Sequence, residues 1–178
     1  MEIPHTNKST ETLQKFSLPK ITGKLLWPAM MCRPDISYAV ARLAQMVSLP
    51  SPEAYGLAAR ILRYLRGTIS LGIAYNVGGD QDLVAYCDSD WGGDRDRKSQ
   101  SGYIFFFAGG PIAWTSKKQS TIDLSTAEAE IVAATVCVQE AMWMIQCLTE
   151  LGISTNLPIS IYEDNSAAIA LTILDDSI

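Results

Sequence analysis

Three short stretches set carboxylates at the edge of apolar structure, and they are the part of the chain best suited to chemistry. In Leu83-Val-Ala-Tyr-Cys-Asp-Ser-Asp-Trp91 an apolar run ends in two acids, Asp88 and Asp90, one residue apart. Ser125-Thr-Ala-Glu-Ala-Glu-Ile131 and Ile159-Ser-Ile-Tyr-Glu-Asp-Asn165 repeat the device of carboxylates beside apolar structure. Ionised carboxylates brought together repel unless a cation offsets them, so three such edges point to a shared cation site.

The elements that must position these acids follow from periodicity. Residues 1–20 are polar without a clear period and read as a lead-in. Arg33-Pro-Asp35 breaks the chain and offers Asp35 as a helix cap. Apolar residues at 36, 39, 40, 43 and 47 then follow helical spacing up to Pro50. Ser51-Pro52 restarts a helix with Ser as cap and Pro at the first position. Its apolar face is Leu57, Ile61, Leu62 and Leu65, and Gly67 ends it, which makes an αα-hairpin. Beyond it the period becomes strand-like: residues 71–76, a turn at 78–80, then 83–87, 102–108 and 112–116, a β-meander of three or four strands.

Residues 125–151 form the longest helix. Ser125 and Glu128 make a capping box, so Glu128 has a structural task at the helix start. The expected core stripe is Ala127, Ile131, Ala134, Val138, Met142, Ile145 and Leu148. Glu130 then lies about 65° from its centre, at the edge of the core. A short β run over 159–162 and a helix over 165–173 follow, with Asp164 placed either as an N-cap or as a ligand. A meander feeding a helix that returns a strand to the same sheet is an α/β (α+β) layer architecture.

Composition sets the outer limits. A chain of 178 residues, 48% hydrophobic and 19% charged, is globular rather than disordered. No uninterrupted apolar run approaches the ~20 residues needed to span a bilayer. The first residues lack the apolar stretch of a signal peptide. Cys32, Cys87, Cys137 and Cys147 lack C-x-x-C spacing, and read as reduced, mostly buried thiols of an intracellular, non-secreted protein. The net charge of −5 hides an asymmetry, because all 14 Lys and Arg lie at or before Lys118. A nucleic-acid partner would be gripped by that part. Arg60, Arg63 and Arg66 line one side of a helix, Arg95, Arg97 and Lys98 sit in a Gly-rich loop, and Lys117-Lys118 ends the meander. Each group is either a solvated face or a phosphate contact.

The residues also carry a resemblance. Tyr86-Cys-Asp-Ser-Asp-Trp-Gly-Gly-Asp94, Ser101-Gly-Tyr103, Pro111-Ile-Ala-Trp-Thr-Ser-Lys-Lys-Gln119, Leu124-Ser-Thr-Ala-Glu-Ala-Glu130 and Tyr162-Glu-Asp-Asn165 resemble the ribonuclease H domain of copia-type (Pseudoviridae-like) retrotransposon polyproteins. Arg33-Pro-Asp-Ile-Ser-Tyr-Ala-Val40 and Arg60-Ile-Leu-Arg-Tyr-Leu-Arg-Gly-Thr68 are similar to the segment joining the reverse transcriptase to that domain. The organisation this implies is a lead-in over 1–20, a helical connection segment over 21–70 and a ribonuclease H-like domain over 71–178. The implied activity is hydrolysis of the RNA strand of RNA–DNA hybrids, with the polymerase domain of the same polyprotein as partner and no membrane. Cytoplasm, virus-like particle or nucleus would be the setting.

Carried over by position, the catalytic and metal-binding acids are Asp88, Glu130 and Asp164, with Asp90 as the alternative to Asp88. They would hold two Mg²⁺ ions (Mn²⁺ as substitute) ~4 Å apart for an in-line displacement. RNA would be told from DNA by its 2′-hydroxyl. The pattern also has departures. A fourth carboxylate, often near a His, a fifth strand and a closing helix have no counterpart up to Ile178; Asp175 and Asp176 follow Asp164 too soon, and the sole His is His5. The domain is therefore expected to be incomplete at its C-terminus and a poor nuclease alone. The alternative expectation is a truncated or domesticated remnant that keeps the fold and binds nucleic acid or a polymerase partner without catalysis. The Tyr-x-Asp-Asp motif of a polymerase is absent, so no polymerase activity is expected.

Overall fold

The computed structural model describes residues 13–76, 78, 82–92 and 96–174, and the chain divides into two compact units, Met1–Ile73 and Ala74–Ile178. The first is helical. Helix α1 (Leu18–Met31) begins inside the stretch expected to be a lead-in, and its apolar residues recur at helical spacing, burying Leu18, Leu25 and Ala29. A 3-10 turn (Pro34–Ile36), α2 (Ser37–Gln45) and α3 (Pro52–Gly67) complete it. The shared core is Leu18, Leu25, Ala29, Ile36, Val40, Leu43, Ala54, Ala58 and Ile61. Ser51 caps α3 as expected, its hydroxyl accepting from the Ala54 N–H at 3.3 Å.

Asp35 does not cap a helix. Its carboxylate accepts two short bonds from Arg33, at 2.9 Å from Nε and 2.7 Å from Nη2. The same guanidinium donates to the carbonyl and hydroxyl of Thr68, at the end of α3. It also lies 5.7 Å from the centre of the Tyr64 ring. A planar fork with five donors can serve two chain segments at once, which a cap could not.

The second unit is a four-stranded mixed sheet with a long helix against it. Strands β1 (Val84–Asp90), β2 (Gln100–Phe107) and β3 (Gly110–Lys118) form an antiparallel meander, and β4 (Ser160–Tyr162) lies parallel to β1. The sheet order is β3-β2-β1-β4, consistent with the expected ribonuclease H-like mixed sheet. Helix α4 (Thr126–Glu150) crosses from the meander back to β4, and α5 (Ser166–Leu174) follows. Residues 71–76, expected to be a strand, form no ladder; the Asn76 N–H donates to the Ala108 carbonyl at 2.8 Å and the Tyr75 hydroxyl to the Pro111 carbonyl at 2.8 Å. They still pack closely: a Cβ on Gly110 would stand 2.6 Å from the Ala74 carbonyl and the Tyr75 ring. The expected turn at 78–80 lies largely outside the described residues. The β2–β3 hairpin turns on Ala108 and Gly109, at φ 51° and 78°, one residue earlier than expected.

The stripe that α4 buries differs from the expected one. Ala129, Glu130, Ala133, Cys137, Ala141 and Met144 are buried, whereas Val138 and Met142 are exposed. The face is turned by roughly a quarter of a circle, at 100° per residue. Opposite it stand Phe105, which is fully buried, and Tyr103. Large rings on the sheet favour small residues on the facing helix, and Cys137 and Ala141 stand there, with Met144, Ile145 and Leu148 filling the far end. Truncating Phe105 to Ala would cost roughly 3–5 kcal/mol. By length and composition α4 could also cross a membrane; here it packs on the sheet and carries Glu130 into the core. All four cysteines are free thiols; Cys87 and Cys137 are buried, Cys147 is partly buried and Cys32 is exposed, contrary to the expectation for that one.

Candidate metal centre

The three separated acids meet. One carboxylate oxygen each from Asp88, Glu130 and Asp164 lies within 4.8 Å of the others. Asp88 reaches this place because β1 alternates buried Ala85 and Cys87 with exposed Tyr86 and Asp88, so the strand ends with its acids outward. Asp90 is also exposed but stands a further repeat along β1 and is not in the group.

Asp164 is released by its neighbour. Asn165 caps α5, its Oδ1 accepting from the Ala167 and Ala168 N–H groups at 3.0 and 3.1 Å. That disposes of the reading in which Asp164 is merely the N-cap. Glu128 is similarly occupied: Ser125 Oγ accepts from the Glu128 N–H, and the Glu128 carboxylate accepts from the Leu124 N–H at 2.6 Å. The capping bonds at these two helix starts are thus made by Ser125, Glu128 and Asn165, not by Glu130 or Asp164.

Glu130 is the electrostatically strained member. It is only 3% exposed, and its Oε2 has no hydrogen-bond partner among the described residues. Burial, then Glu163, Asp88 and Asp164, push its pKa up to about 7. A buried anionic group facing like charges costs several kcal/mol unless it is neutralised by a proton or a cation. Its place is fixed by Gln119, whose Nε2 donates to the Ala129 carbonyl at 2.9 Å and to Ser101 Oγ at 2.7 Å. The end of the meander thus holds the first turn of α4. Beside it the buried Ser99 hydroxyl donates to Asp123 at 2.6 Å, and the Trp91 indole N–H donates to the Asp123 carbonyl.

Glu163 was not singled out by sequence reasoning, although it stands within one of the motifs. Its carboxylate accepts from the Asn165 N–H and from the Cys87 thiol, and its charge helps to raise the pKa of Glu130. The hydrogen bond with Cys137, burial and Glu163 together keep the Cys87 thiol protonated far above the ordinary range. Gln119, too, was visible only as part of a motif.

The proposed nucleic-acid contacts are not all alike. Arg60, Arg63 and Arg66 lie exposed along α3, as do Arg97 and Lys117 in the second unit. Lys98 Nζ donates to the Ser120 carbonyl at 2.7 Å, and Lys118 pairs with Asp96 at 2.8 Å. Those two cations hold their own loop. Arg95, like Asp175, Asp176 and His5, lies outside the described residues.

No family model and no solved structure matches the chain. Among curated proteins it is 44% identical to the retrovirus-related Pol polyprotein from transposon RE1 of Arabidopsis thaliana, over 85% of this chain and 10% of that one. It is 38% identical to the Pol polyprotein from transposon TNT 1-94 of Nicotiana tabacum, over 95% of this chain and 13% of that one. It is also 41% identical to the secreted RxLR effector protein 161 of Plasmopara viticola, over 68% of this chain and 87% of that protein. The chain spans about a tenth of the length of the Pol polyproteins it matches. With Pol polyproteins 38–44% identical over 85–95% of this chain, the chain belongs to the family of copia-type retrotransposon Pol polyproteins.

Proposed function

We propose that the chain is the ribonuclease H module of a retrotransposon reverse transcriptase, hydrolysing the RNA strand of RNA–DNA hybrids with divalent cations. The observation that carries this is the meeting of Asp88, Glu130 and Asp164 within 4.8 Å. The donor set fits Mg²⁺, or Mn²⁺ in its place, because both prefer hard oxygen ligands. The unpartnered Oε2 of buried Glu130 fits as well, since a cation would meet the need that no protein donor meets. Bound there, such ions supply charge stabilisation at the scissile phosphate and acidify water at neutral pH.

The protein's own part is placement. Asp88 and Asp164 hold the open side, and Glu130 closes the buried side on a helix turn fixed by Gln119. The like charge of Glu163 adds to the need for a cation at Glu130. On this reading residues 21–70 are the connection segment, 71–178 the nuclease domain, and the polymerase domain of the same polyprotein the partner. Its setting is intracellular.

A second reading, a domesticated fragment that keeps the fold and binds without cutting, draws support from the likeness to a short protein of which this chain spans 87%. Incubation of the chain with an end-labelled RNA–DNA hybrid, with Mg²⁺ or with EDTA, separates the two. The nuclease reading expects Mg²⁺-dependent cuts in RNA alone, and a melting point that Mg²⁺ raises in the parent but not in Asp164→Asn. Hybrid bound but intact at every Mg²⁺ concentration would leave the second reading.

A further inference from the structure

The helical unit carries charge that the acidic centre does not use. Among its described residues eight are Lys or Arg, and only Asp35 and Glu53 are acids. Lys15, Lys20 and Lys24 gather with Phe16, Ile21 and Gly23 around a surface cavity of about 480 Å³. All three lysines are exposed, and none makes an ion pair among the described residues. Lys20 and Lys24 stand one helical turn apart, on one face of α1.

Phe16 gives the groove its second chemistry. It is 58% exposed, although Leu18, two residues on, is buried. Its backbone is held from two directions: its N–H donates to the Leu13 carbonyl at 2.9 Å, and the Tyr55 hydroxyl donates to its carbonyl at 3.1 Å. The ring is therefore presented by an anchored backbone at the cavity wall. At Gly23 no atom lies within 4 Å of where a Cβ would stand, which leaves the floor beside the lysines open.

Lysines alone would suit any polyanion. An aromatic ring among them suits a polyanion with unstacked flat bases, the pairing by which single strands are gripped without sequence preference. The concavity argues against a lipid surface, which meets a protruding apolar face rather than a groove. We propose that this groove binds single-stranded nucleic acid, with Lys15, Lys20 and Lys24 on successive phosphates and Phe16 stacked on an unpaired base. It needs neither cation nor carboxylate, so it stands or falls apart from the nuclease reading.

Fluorescence anisotropy of the whole chain with a labelled twelve-residue oligothymidylate, in EDTA, tests it. Replacing all three lysines (Lys15→Gln, Lys20→Gln, Lys24→Gln) should weaken binding about tenfold or more at low salt. It should also flatten the log–log salt slope by about 2, at ~0.7 per single-strand phosphate. Phe16→Ala should weaken the single strand about tenfold and leave a hybrid duplex and an abasic strand of equal length unaffected. Phe16→Tyr should restore the parent affinity. An unchanged slope in the triple variant would overturn the proposal. So would an equal Phe16→Ala loss on the abasic strand, failure of Phe16→Tyr to rescue, or displacement of the oligonucleotide by phosphatidylserine vesicles.

Discussion

The two units of this chain treat buried charge in opposite ways. Residues 1–73 carry nine Lys and Arg against four acids, and residues 74–178 carry five against fifteen, so their net charges are +5 and −10. In the helical unit the buried cation, Arg33, has every side satisfied by Asp35, Thr68 and Tyr64. In the sheet unit the buried anion, Glu130, faces Asp88, Asp164 and Glu163, and one of its oxygens has no partner among the described residues. A closed network stabilises a fold and does nothing further. An open one costs stability and keeps an affinity for whatever ion or proton would close it.

The largest effect should come from opening the acidic centre further. Asp88→Asn and Asp164→Asn are each expected to lower Mg²⁺-dependent cleavage by more than about 100-fold, since even groups that only support metal ligands cost 10–100-fold. The same substitutions should leave the melting temperature in EDTA unchanged or higher, because they remove like charge from beside Glu130. Activity and metal-free stability would then move in opposite directions. A variant that lost both together would show the acids to be structural.

The helical unit should respond in the reverse sense. Arg33→Ala leaves Asp35 and the end of α3 without their partner, at a cost of roughly 2–4 kcal/mol, somewhat below the range for fully buried pairs because Asp35 is partly exposed. Chemical denaturation followed by tryptophan fluorescence is the measurement, with Arg33→Lys beside it. Lys keeps the charge but not the fork, and is expected to recover less than half of the loss. Full recovery with Lys would mean that charge alone, not bidentate geometry, holds the network.

How far these arrangements were legible in the sequence depended on whether a residue acts through its neighbours in the chain. The caps at Ser51 and Ser125, the meander and the long helix all rest on local spacing, and each was readable. The convergence of Asp88, Glu130 and Asp164 was expected from the three apolar edges and from the resemblance together. The buried face of α4 was misjudged because side-chain size misled the period: Val138 and Met142 are apolar but exposed, while Cys137 and Ala141 pack with the rings of β2. Helix α1 went unread because Pro28 interrupts its pattern at a position where a proline normally ends a helix. Asp35 and Glu163 were misplaced or missed for a related reason. Cys87 is brought to Glu163 only by the tertiary fold, and Arg33, the partner of Asp35, is set in place by Thr68 at the end of α3.

The smallest expected effect separates the two units by pH. Glu130 has a folded pKa of about 7, raised by burial and by Glu163, Asp88 and Asp164, against about 4.5 when unfolded. Between those values the native state holds a proton that the unfolded chain has released, so its stabilising contribution is full below pH 4.5 and is lost as pH rises to 7. At 1.36 kcal/mol per pKa unit the loss is at most about 3 kcal/mol, and less to the extent that Asp88 and Asp164 stay hydrated. Asp35 acts in the other direction. Its pKa is lowered by the Arg33 hydrogen bond, so its contribution is present above the unfolded value and disappears only as pH falls through the folded one. Urea midpoints of the metal-free parent and of Glu130→Gln, measured from pH 4.5 to 8, isolate the first term because every other acid is common to both. The parent should lose stability relative to Glu130→Gln across that range, and saturating Mg²⁺ at pH 8 should return part of it to the parent alone. A difference that stayed flat with pH would mean that Glu130 ionises as freely in the fold as outside it, and the buried side of the centre would then need no cation to close it.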